Sequence, residues 1–349
     1  MVTVAKRGAN WANAAARSKA RKAGLIDSTR MRQLIQQLPD TIAASIAEFG
    51  YRTEIDLYAD RLSGADLVEA ALSHNMDNDL AQVLGFCQGA LEDIVAIYVD
   101  RFGYQKAKTV LRAIHSGVDL ETVATQVLPR ENEENSDWLT MVQNCSNLAE
   151  AVSALSGTRY GRAFAGMESD SSLMELEDAL DAHYYKSSLE SLRANGNPLL
   201  IKYLRTEIDH RNVTNLFRAL RQGMPSEQRS SLMLPGGKLD ATSLRQAAQA
   251  DDQSTLLEVL KRANGFDDTG FEEALEESQS TGSLDPIVTL LESQKAAFAR
   301  KMALLNPVSA FPVIYYIESK VSEVRNLRLI VRGKAAGLSN EVLEAHVLL

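Results

Sequence analysis

One pattern occurs three times along this chain, in the same order and at nearly the same spacing. Each copy contains a nine-residue segment that ends in two apolar residues and an arginine. A glycine follows the arginine after five residues, a glutamate follows the glycine after four, and a leucine follows the glutamate after seven. The arginines and glycines are Arg112, Arg218, Arg332, Gly117, Gly223 and Gly337. Self-similarity at a nearly fixed spacing indicates an architecture built from repeated structural units.

A second marker lies upstream of the arginine segment in every copy. It occupies residues 68–72, 176–180 and 271–275, and its second residue is a glutamate each time, namely Glu69, Glu177 and Glu272. Two markers in fixed order divide the chain into three units of about 110 residues. We therefore predict the units 1–129, 130–235 and 236–349. We also expect the segments 59–129, 167–235 and 262–349 to superpose with the three arginines equivalent.

The local pattern is helical almost everywhere. In the third unit apolar residues recur every three or four positions from Ile314 to Val331, which indicates one buried helix face. Pro312 suits a first helical turn and Gly337 a left-handed stop, so a helix of about 23 residues is predicted. The second unit repeats this pattern from Pro198 to its own glycine. Alternating runs typical of strands are missing, so the predicted fold class is all-α.

Glycine and polar residues mark the expected interruptions. Gly103 lies inside the helical pattern of the first unit and is predicted to kink or divide that helix. After the three stop glycines a capping-type residue is expected to open a short helix; these are Asp119, Ser226 and Ser339. The stretches Arg130–Ser136 and Gly236–Asp240 are predicted to be linkers. Asp267–Gly270 and Glu276–Ser283 are predicted to be loops.

Composition excludes several classes of protein. The chain has 349 residues, of which 45% are hydrophobic and 24% charged, and its net charge is −9. An acidic body argues against nucleic acid as the main partner. Eight of the first 32 residues are basic and one is acidic, so this arm is expected either to be a solvated helix face or to touch an acidic partner or acidic lipid.

Membrane and disulfide chemistry are also disfavoured. The longest apolar runs fall short of the roughly 20 residues that cross a bilayer, and the start has no signal-peptide core, so neither a membrane span nor secretion is expected. The two cysteines, Cys87 and Cys145, cannot form a disulfide scaffold or a zinc ribbon. Both are expected to be reduced and buried.

No pattern for catalysis emerges. Gly236-Gly237-Lys238 lacks the spacing of a phosphate-binding loop and is expected to form a turn. Glu207 and His210 match half of a di-iron pattern that requires two copies, so His210 is interpreted as a structural histidine. The aspartate pairs at 251–252 and 267–268 are interpreted as caps or solvated turns. We therefore expect no catalytic residue, no cofactor and no metal site.

The recurring arginines allow two interpretations. They occupy last helical turns, where a cation complements the helix dipole, and each could pair across its own unit with the glutamate of that unit, Glu69, Glu177 or Glu272. Alternatively, three equivalent arginines would give a ring of positive charge that faces a partner. Two further arginines of the third unit lie off its apolar stripe and are expected to face outward. The candidate partner contacts are Arg112, Arg218, Arg325, Arg328 and Arg332.

Several of these segments resemble a known family. Glu323–Lys334, together with Gly337–Leu349, resembles the C subunit of archaeal-type (A-type) rotary ATPases, the counterpart of the d subunit of vacuolar ATPases. The resemblance extends over essentially the whole chain and includes Gly64–Leu72, Leu234–Gly237 and Trp11–Arg17. Two departures stand out. Lys106 replaces the asparagine of the other two copies, Asn212 and Asn326, and the Arg130–Ser136 stretch is unusually acidic.

The resemblance implies an all-helical, pseudo-threefold funnel of three similar domains with no catalytic role. It implies a peripheral subunit on the cytoplasmic side of the cell membrane, which joins the central stalk to the membrane rotor ring and transmits torque between ion flow and ATP chemistry elsewhere. Two alternatives from other classes remain. One is a free-standing helical-repeat scaffold that binds a soluble protein. The other is a helical-bundle enzyme with an unrecognised carboxylate site.

Overall fold

The computed structural model describes residues 8–347, and this part of the chain contains α-helices and no strand. The all-α prediction is therefore confirmed, with 76% of the structure helical. The α-helices are α1 (Trp11–Ala23), α2 (Ser28–Gln36), α3 (Pro39–Ile46), α4 (Arg52–Tyr58), α5 (Gly64–Phe86), α6 (Ala90–Ser116), α7 (Leu120–Gln126), α8 (Ser136–Asn144), α9 (Leu148–Leu155), α10 (Leu173–Ala194), α11 (Pro198–Arg221), α12 (Ser226–Ser231), α13 (Ala241–Ala248), α14 (Gln253–Arg262), α15 (Phe271–Thr281), α16 (Asp285–Leu305), α17 (Phe311–Ala335) and α18 (Asn340–His346). Among residues 8–347, every helix is either too short or too polar to span a bilayer.

The helices form two compact units. The first unit comprises Met1–Leu180 and Met302–Leu349, and the second comprises Asp181–Lys301. The first unit is therefore assembled from two separate parts of the chain, whereas the second is continuous. The three-unit division expected from the repeats remains a prediction.

The core of the first unit forms where α17 packs against α1 and α5. Leu327 and Ile330 of α17 are fully buried and share one apolar cluster with Leu34 of α2 and Ala71 of α5. Burying a leucine or isoleucine side chain contributes about 1.5–3 kcal/mol. The late helix α17 is therefore an integral part of the core that the early helices build.

The second unit has its own apolar core. Phe217 of α11 and Phe271 of α15 are fully buried there, together with Leu256 and Leu260 of α14. The apolar residues of α11 that face this core recur at helical spacing, as the sequence predicted. This packing fixes the backbone of α11 up to its last turn.

The three stop glycines end their helices in the same way. Each is in the left-handed region, with φ of 63°, 70° and 75° in chain order. The next residue donates its backbone N–H to the carbonyl five positions earlier, at 3.0, 3.0 and 2.8 Å, which is the Schellman arrangement. The donors are Val118, Met224 and Leu338. The predicted helix stops are confirmed, and the three arginines occupy the same position relative to them.

The short helices that follow are α7, α12 and α18. Asp119 caps α7 and Ser339 caps α18 through their side chains, as predicted. The prediction for Ser226 is wrong because Pro225 occupies the N-cap position of α12 and Ser226 is already its first helical residue. Proline immediately before the helix supplies an extended backbone without a side-chain cap.

Gly103 does not divide its helix, because α6 runs unbroken from Ala90 to Ser116. The reason for glycine is close packing: a Cβ at this position would lie 2.1 Å from the hydroxyl oxygen of Tyr160. The Tyr160 ring is held edge-on against Tyr104 at 5.0 Å and tilted against Trp138 at 5.2 Å. The glycine therefore serves a helix-to-loop contact, and the expected kink is wrong.

This contact predicts opposite outcomes for two helical glycines. Gly103→Ala is expected to lower the free energy of unfolding by about 1–3 kcal/mol, because the pinned ring leaves no room for the methyl group. Gly85→Ala in α5 is the matched control. It meets nothing within 4 Å and should be neutral or stabilising by up to about 1 kcal/mol. Urea unfolding of both variants measures the difference, and equal values would contradict the packing explanation.

Two polar stretches differ from their predicted structure. The Arg130–Ser136 segment is not a free linker, since Asn132 and Asn135 are buried and Glu131 accepts hydrogen bonds from Arg61 and Tyr58. The predicted loop at 276–283 is wrong up to residue 281, which ends α15. Its glutamates and most of its polar residues face solvent, so polar side chains are compatible with a helix at these positions.

The basic N-terminal arm is partly folded onto the protein. Arg21 of α1 forms an ion pair with Asp79 at 2.5 Å, and its guanidinium lies 5.7 Å from the centre of the Phe86 ring. These contacts place part of the arm's positive charge on α5 instead of in solvent. Lys6 and Arg7 lie outside the described residues.

Candidate partner-binding surface

Glu69, on α5, is a buried carboxylate that binds two of the recurring or predicted arginines. Its side chain is only 4% exposed. The Nε atom of Arg332 lies 2.5 Å from Oε1, and the Nε atom of Arg328 lies 3.0 Å from Oε2. Arg328 also donates from Nη2 to the hydroxyl of Ser73 at 2.8 Å. Both arginines therefore tie α17 to α5 within the first unit.

Arg112, on α6, forms the second such pair. Its Nε donates to Oε1 of Glu177 at 2.5 Å and its Nη2 donates to Oε2 at 2.7 Å. This is the two-pronged geometry in which a guanidinium matches a carboxylate best. The glutamate is 19% exposed and the arginine 57%, so the pair lies at the surface while closing a contact between α6 and α10.

The third pair of the series is not formed. Arg218 is exposed and makes no ion pair with another residue of the 8–347 range. Its counterpart Glu272 forms an ion pair with Lys261 of α14. That contact lowers the pKa of the Glu272 carboxyl and, together with Glu258, raises the pKa of Lys261. Glu272 is thus already neutralised by a neighbour that the other two glutamates lack.

The two observed pairs follow one rule. The arginine of the first predicted unit pairs with the glutamate of the second predicted unit, and the arginine of the third predicted unit pairs with the glutamate of the first predicted unit. The same rule assigns Arg218 of the second predicted unit to Glu272 of the third predicted unit. The internal alignment of the three copies found all six residues, but the expected pairing within one unit is wrong, because both pairs that form join different predicted units.

The second unit also contains a cavity of about 110 Å³ near His210. Asp209, Lys238 and Gln294 line it together with two aromatic rings. Burial, reinforced by the charge of Lys295, lowers the pKa of His210 from 6.5 to about 4. Neutral imidazole in such a place supports its interpretation as a structural histidine.

The residues that could bind a metal do not converge. Within the described part of the chain, no three His, Cys, Asp or Glu side chains are arranged to bind a metal ion. Glu207 accepts a hydrogen bond from Tyr185 at 3.1 Å. Cys87 is buried as predicted, whereas Cys145 is only half-buried, and both are free thiols.

Comparison with known proteins assigns the chain to a family. The family model described as "ATP synthase (C/AC39) subunit" matches residues 14–346. The chain belongs to this family. The C subunit of the A-type ATP synthase from Haloquadratum walsbyi is 32% identical over 344 residues, which covers 97% of this chain and 98% of the relative. The corresponding C subunits from Haloferax volcanii and Methanococcoides burtonii are 29% and 26% identical, with 98% and 97% of this chain covered and 98% and 94% of the relatives.

The resemblance found in the sequence is thereby confirmed. Members of the C/AC39 family are non-catalytic, structural subunits of rotary ATPases. The relevant question about the recurring arginines is therefore which of them remain available to other subunits.

The ion pairs divide the five candidate partner contacts of this C/AC39 family member into two groups. Arg112, Arg328 and Arg332 are engaged by carboxylates of their own chain. Arg218 and Arg325 are exposed and have no ion pair within residues 8–347. The expectation that Arg325 and Arg328 both face outward describes Arg325 well, but Arg328 is half-buried. Reversing the charge of Arg328 would break an internal pair, so a resulting defect would not identify a partner.

The Lys106 departure has a local explanation. In the second predicted unit Asn212 forms two hydrogen bonds with the backbone of Leu234. It accepts from the N–H at 2.8 Å and donates to the carbonyl at 2.9 Å. In the first unit Lys106 instead donates to Asn135 at 2.7 Å, and Asn135 donates to the carbonyl of Pro129 at 3.0 Å. Asn135 thus supplies the amide that Lys106 lacks, and the charge of Lys106 is paired with Asp77 at 2.9 Å.

Proposed function

We propose that the chain is the coupling subunit that joins the central stalk of an A-type rotary ATPase to its membrane rotor ring and transmits torque between them. The observation that carries this proposal is the end-to-end match to proteins named as the C subunit of A-type ATP synthases. Ion translocation and ATP chemistry would take place on other subunits. The chain would lie on the cytoplasmic side of the membrane as a peripheral component.

A torque-transmitting part has to resist deformation, and several contacts favour this. Helices α5, α6, α11 and α17 are each more than 20 residues long. Buried ion pairs join helices that are distant in sequence, such as Arg101 on α6 with Glu318 on α17 at 2.9 Å. Breaking such a pair by removing one partner typically costs about 3–5 kcal/mol, so the helices resist sliding past one another.

The same proposal includes three similar domains arranged as a pseudo-threefold funnel. The identical Schellman stops and the ordered Arg–Glu pairs support this arrangement. A funnel with a central hollow could receive a stalk, and one asymmetric adaptor could join partners of different symmetry.

A deletion experiment tests the proposed function. Cells that lack this chain should retain ATP hydrolysis by the soluble head of the ATPase, whereas ATP-driven ion pumping by their membrane vesicles should fall to background. Adding back the purified chain should restore pumping. Unchanged pumping in the deletion, together with recovery of the chain from wild-type cells on an unrelated soluble protein, would favour the helical-repeat scaffold instead.

A further inference from the structure

We propose that Arg218 binds an acidic side chain of a neighbouring ATPase subunit; this inference rests on the proposed function. Arg218 is the one member of the recurring arginine series whose expected intramolecular carboxylate is engaged elsewhere. Arg112 and Arg332 each contact their glutamate at 2.5 Å. Glu272, the corresponding residue for Arg218, forms its ion pair with Lys261.

The position presents the guanidinium on a fixed support. Leu216, Phe217 and Ala219, the neighbours of Arg218 in α11, are buried in the second unit. The Schellman stop at Gly223 closes the helix five residues later. One turn after Arg218, Arg221 donates a hydrogen bond to the carbonyl of Gly282 at 2.9 Å and joins the end of α11 to the end of α15. Binding a partner here would therefore cost little backbone entropy.

The chemistry of the expected partner follows from the equivalent pair. Arg112, at the corresponding position of the first copy, donates hydrogen bonds to both oxygens of one carboxylate, that of Glu177. An aspartate or glutamate on a partner subunit fits that geometry. An anionic lipid surface fits less well, because α15, which is fastened to the same end of α11, has four exposed glutamates. These are Glu272, Glu273, Glu276 and Glu277. The negative charge of these glutamates is repelled by anionic lipid headgroups.

The test compares two arginines of the second unit. Arg218→Glu is the test variant. Arg262→Glu is the matched control, because Arg262 also lies in the last turn of a helix, is exposed and has no ion pair with a residue in the described range. Each purified full-length chain is titrated onto membranes from cells that lack it, and bound protein is measured after sedimentation. Arg218→Lys tests whether positive charge alone restores binding.

We expect Arg218→Glu to weaken binding at least about tenfold, because an interfacial arginine–carboxylate contact is lost and a repulsive one is created. The Arg262 variant should bind within about twofold of wild type. Lysine should restore binding in part, since it supplies charge without the two-pronged geometry. Circular dichroism should be unchanged in both glutamate variants, and thermal unfolding should shift slightly and equally, because each loses a cation from a last helical turn and neither has an ion pair to lose within the described range.

Other outcomes would overturn the inference. If wild type binds and Arg218→Glu binds equally well, Arg218 is not a contact, although the proposed function stands. If the Arg262 variant loses binding as strongly, the effect is one of net charge. Sedimentation with protein-free vesicles of anionic phospholipid provides a further arm, in which an equal loss would assign Arg218 to lipid. If wild type fails to bind the depleted membranes, both the inference and the proposed function fail.

Discussion

Replacing Glu323 with glutamine is expected to lower the free energy of unfolding by about 3–5 kcal/mol. This carboxylate of α17 is 4% exposed and accepts a hydrogen bond from the buried Tyr51 hydroxyl at 2.6 Å. It also accepts from the backbone N–H of Ile26 at 2.6 Å and pairs with Lys320 at 3.0 Å. Glutamine keeps the shape but leaves the Lys320 ammonium, which is 8% exposed, without a counter-charge.

Two further variants separate charge from other effects. Glu48→Gln makes the same chemical change at an exposed position and should alter stability by no more than about 0.5 kcal/mol. Adding Lys320→Met to Glu323→Gln removes the stranded charge, so the double variant should be more stable than Glu323→Gln alone. Urea unfolding measures all of them. A Glu323→Gln protein as stable as the Glu48 control would show that this buried pair contributes nothing.

Lowering the pH from 7 to 4.5 should destabilise the wild-type protein by about 2–3 kcal/mol more than a His210→Gln variant. Burial and the nearby Lys295 lower the pKa of folded His210 from 6.5 to about 4, so the folded state favours the neutral ring. Between about pH 6.5 and pH 4 the unfolded chain therefore binds a proton at this histidine that the folded protein does not bind. The stabilising contribution is complete above pH 6.5 and is lost as the pH falls towards 4.

The measurement is the urea unfolding free energy of both proteins at pH 7 and pH 4.5. Carboxylates titrate over the same range, but they are identical in the two proteins, and the comparison removes their effect. Glutamine is a suitable replacement because it is neutral at every pH and retains a hydrogen-bonding group. Equal pH dependence in the two proteins would mean that His210 titrates alike in the folded and unfolded chains.

Helix ends could be predicted well because their causes are local. A left-handed stop favours glycine at one position, and Gly117, Gly223 and Gly337 mark that position in the sequence. The error at Gly103 has the opposite origin. Glycine there accommodates Tyr160, a residue distant in the chain, and no short pattern encodes such a contact.

The partners of the charged residues were predictable only in part. Repetition identified Glu69, Glu177 and Glu272 as candidate partners of the arginines, but it could not reveal that Lys261 occupies the last of them. Nothing in the sequence indicated that the charged residues Lys320 and Glu323 of α17 are buried. Glu323 meets Tyr51 and Ile26 from the far end of the chain, and a polar residue beside an apolar stripe usually faces solvent.

The hydrogen bond between Ile26 and Glu323 joins residues 297 positions apart, and this has a consequence for synthesis. At about 5–20 residues per second, α17 is translated roughly 15–60 s after the helices it covers. Throughout that interval the apolar faces of α2, α3 and α5 lack their covering helix on the ribosome. The continuous second unit, Asp181–Lys301, is complete before α17 is translated, so we expect it to fold first and the earlier helices to be the ones that depend on chaperones.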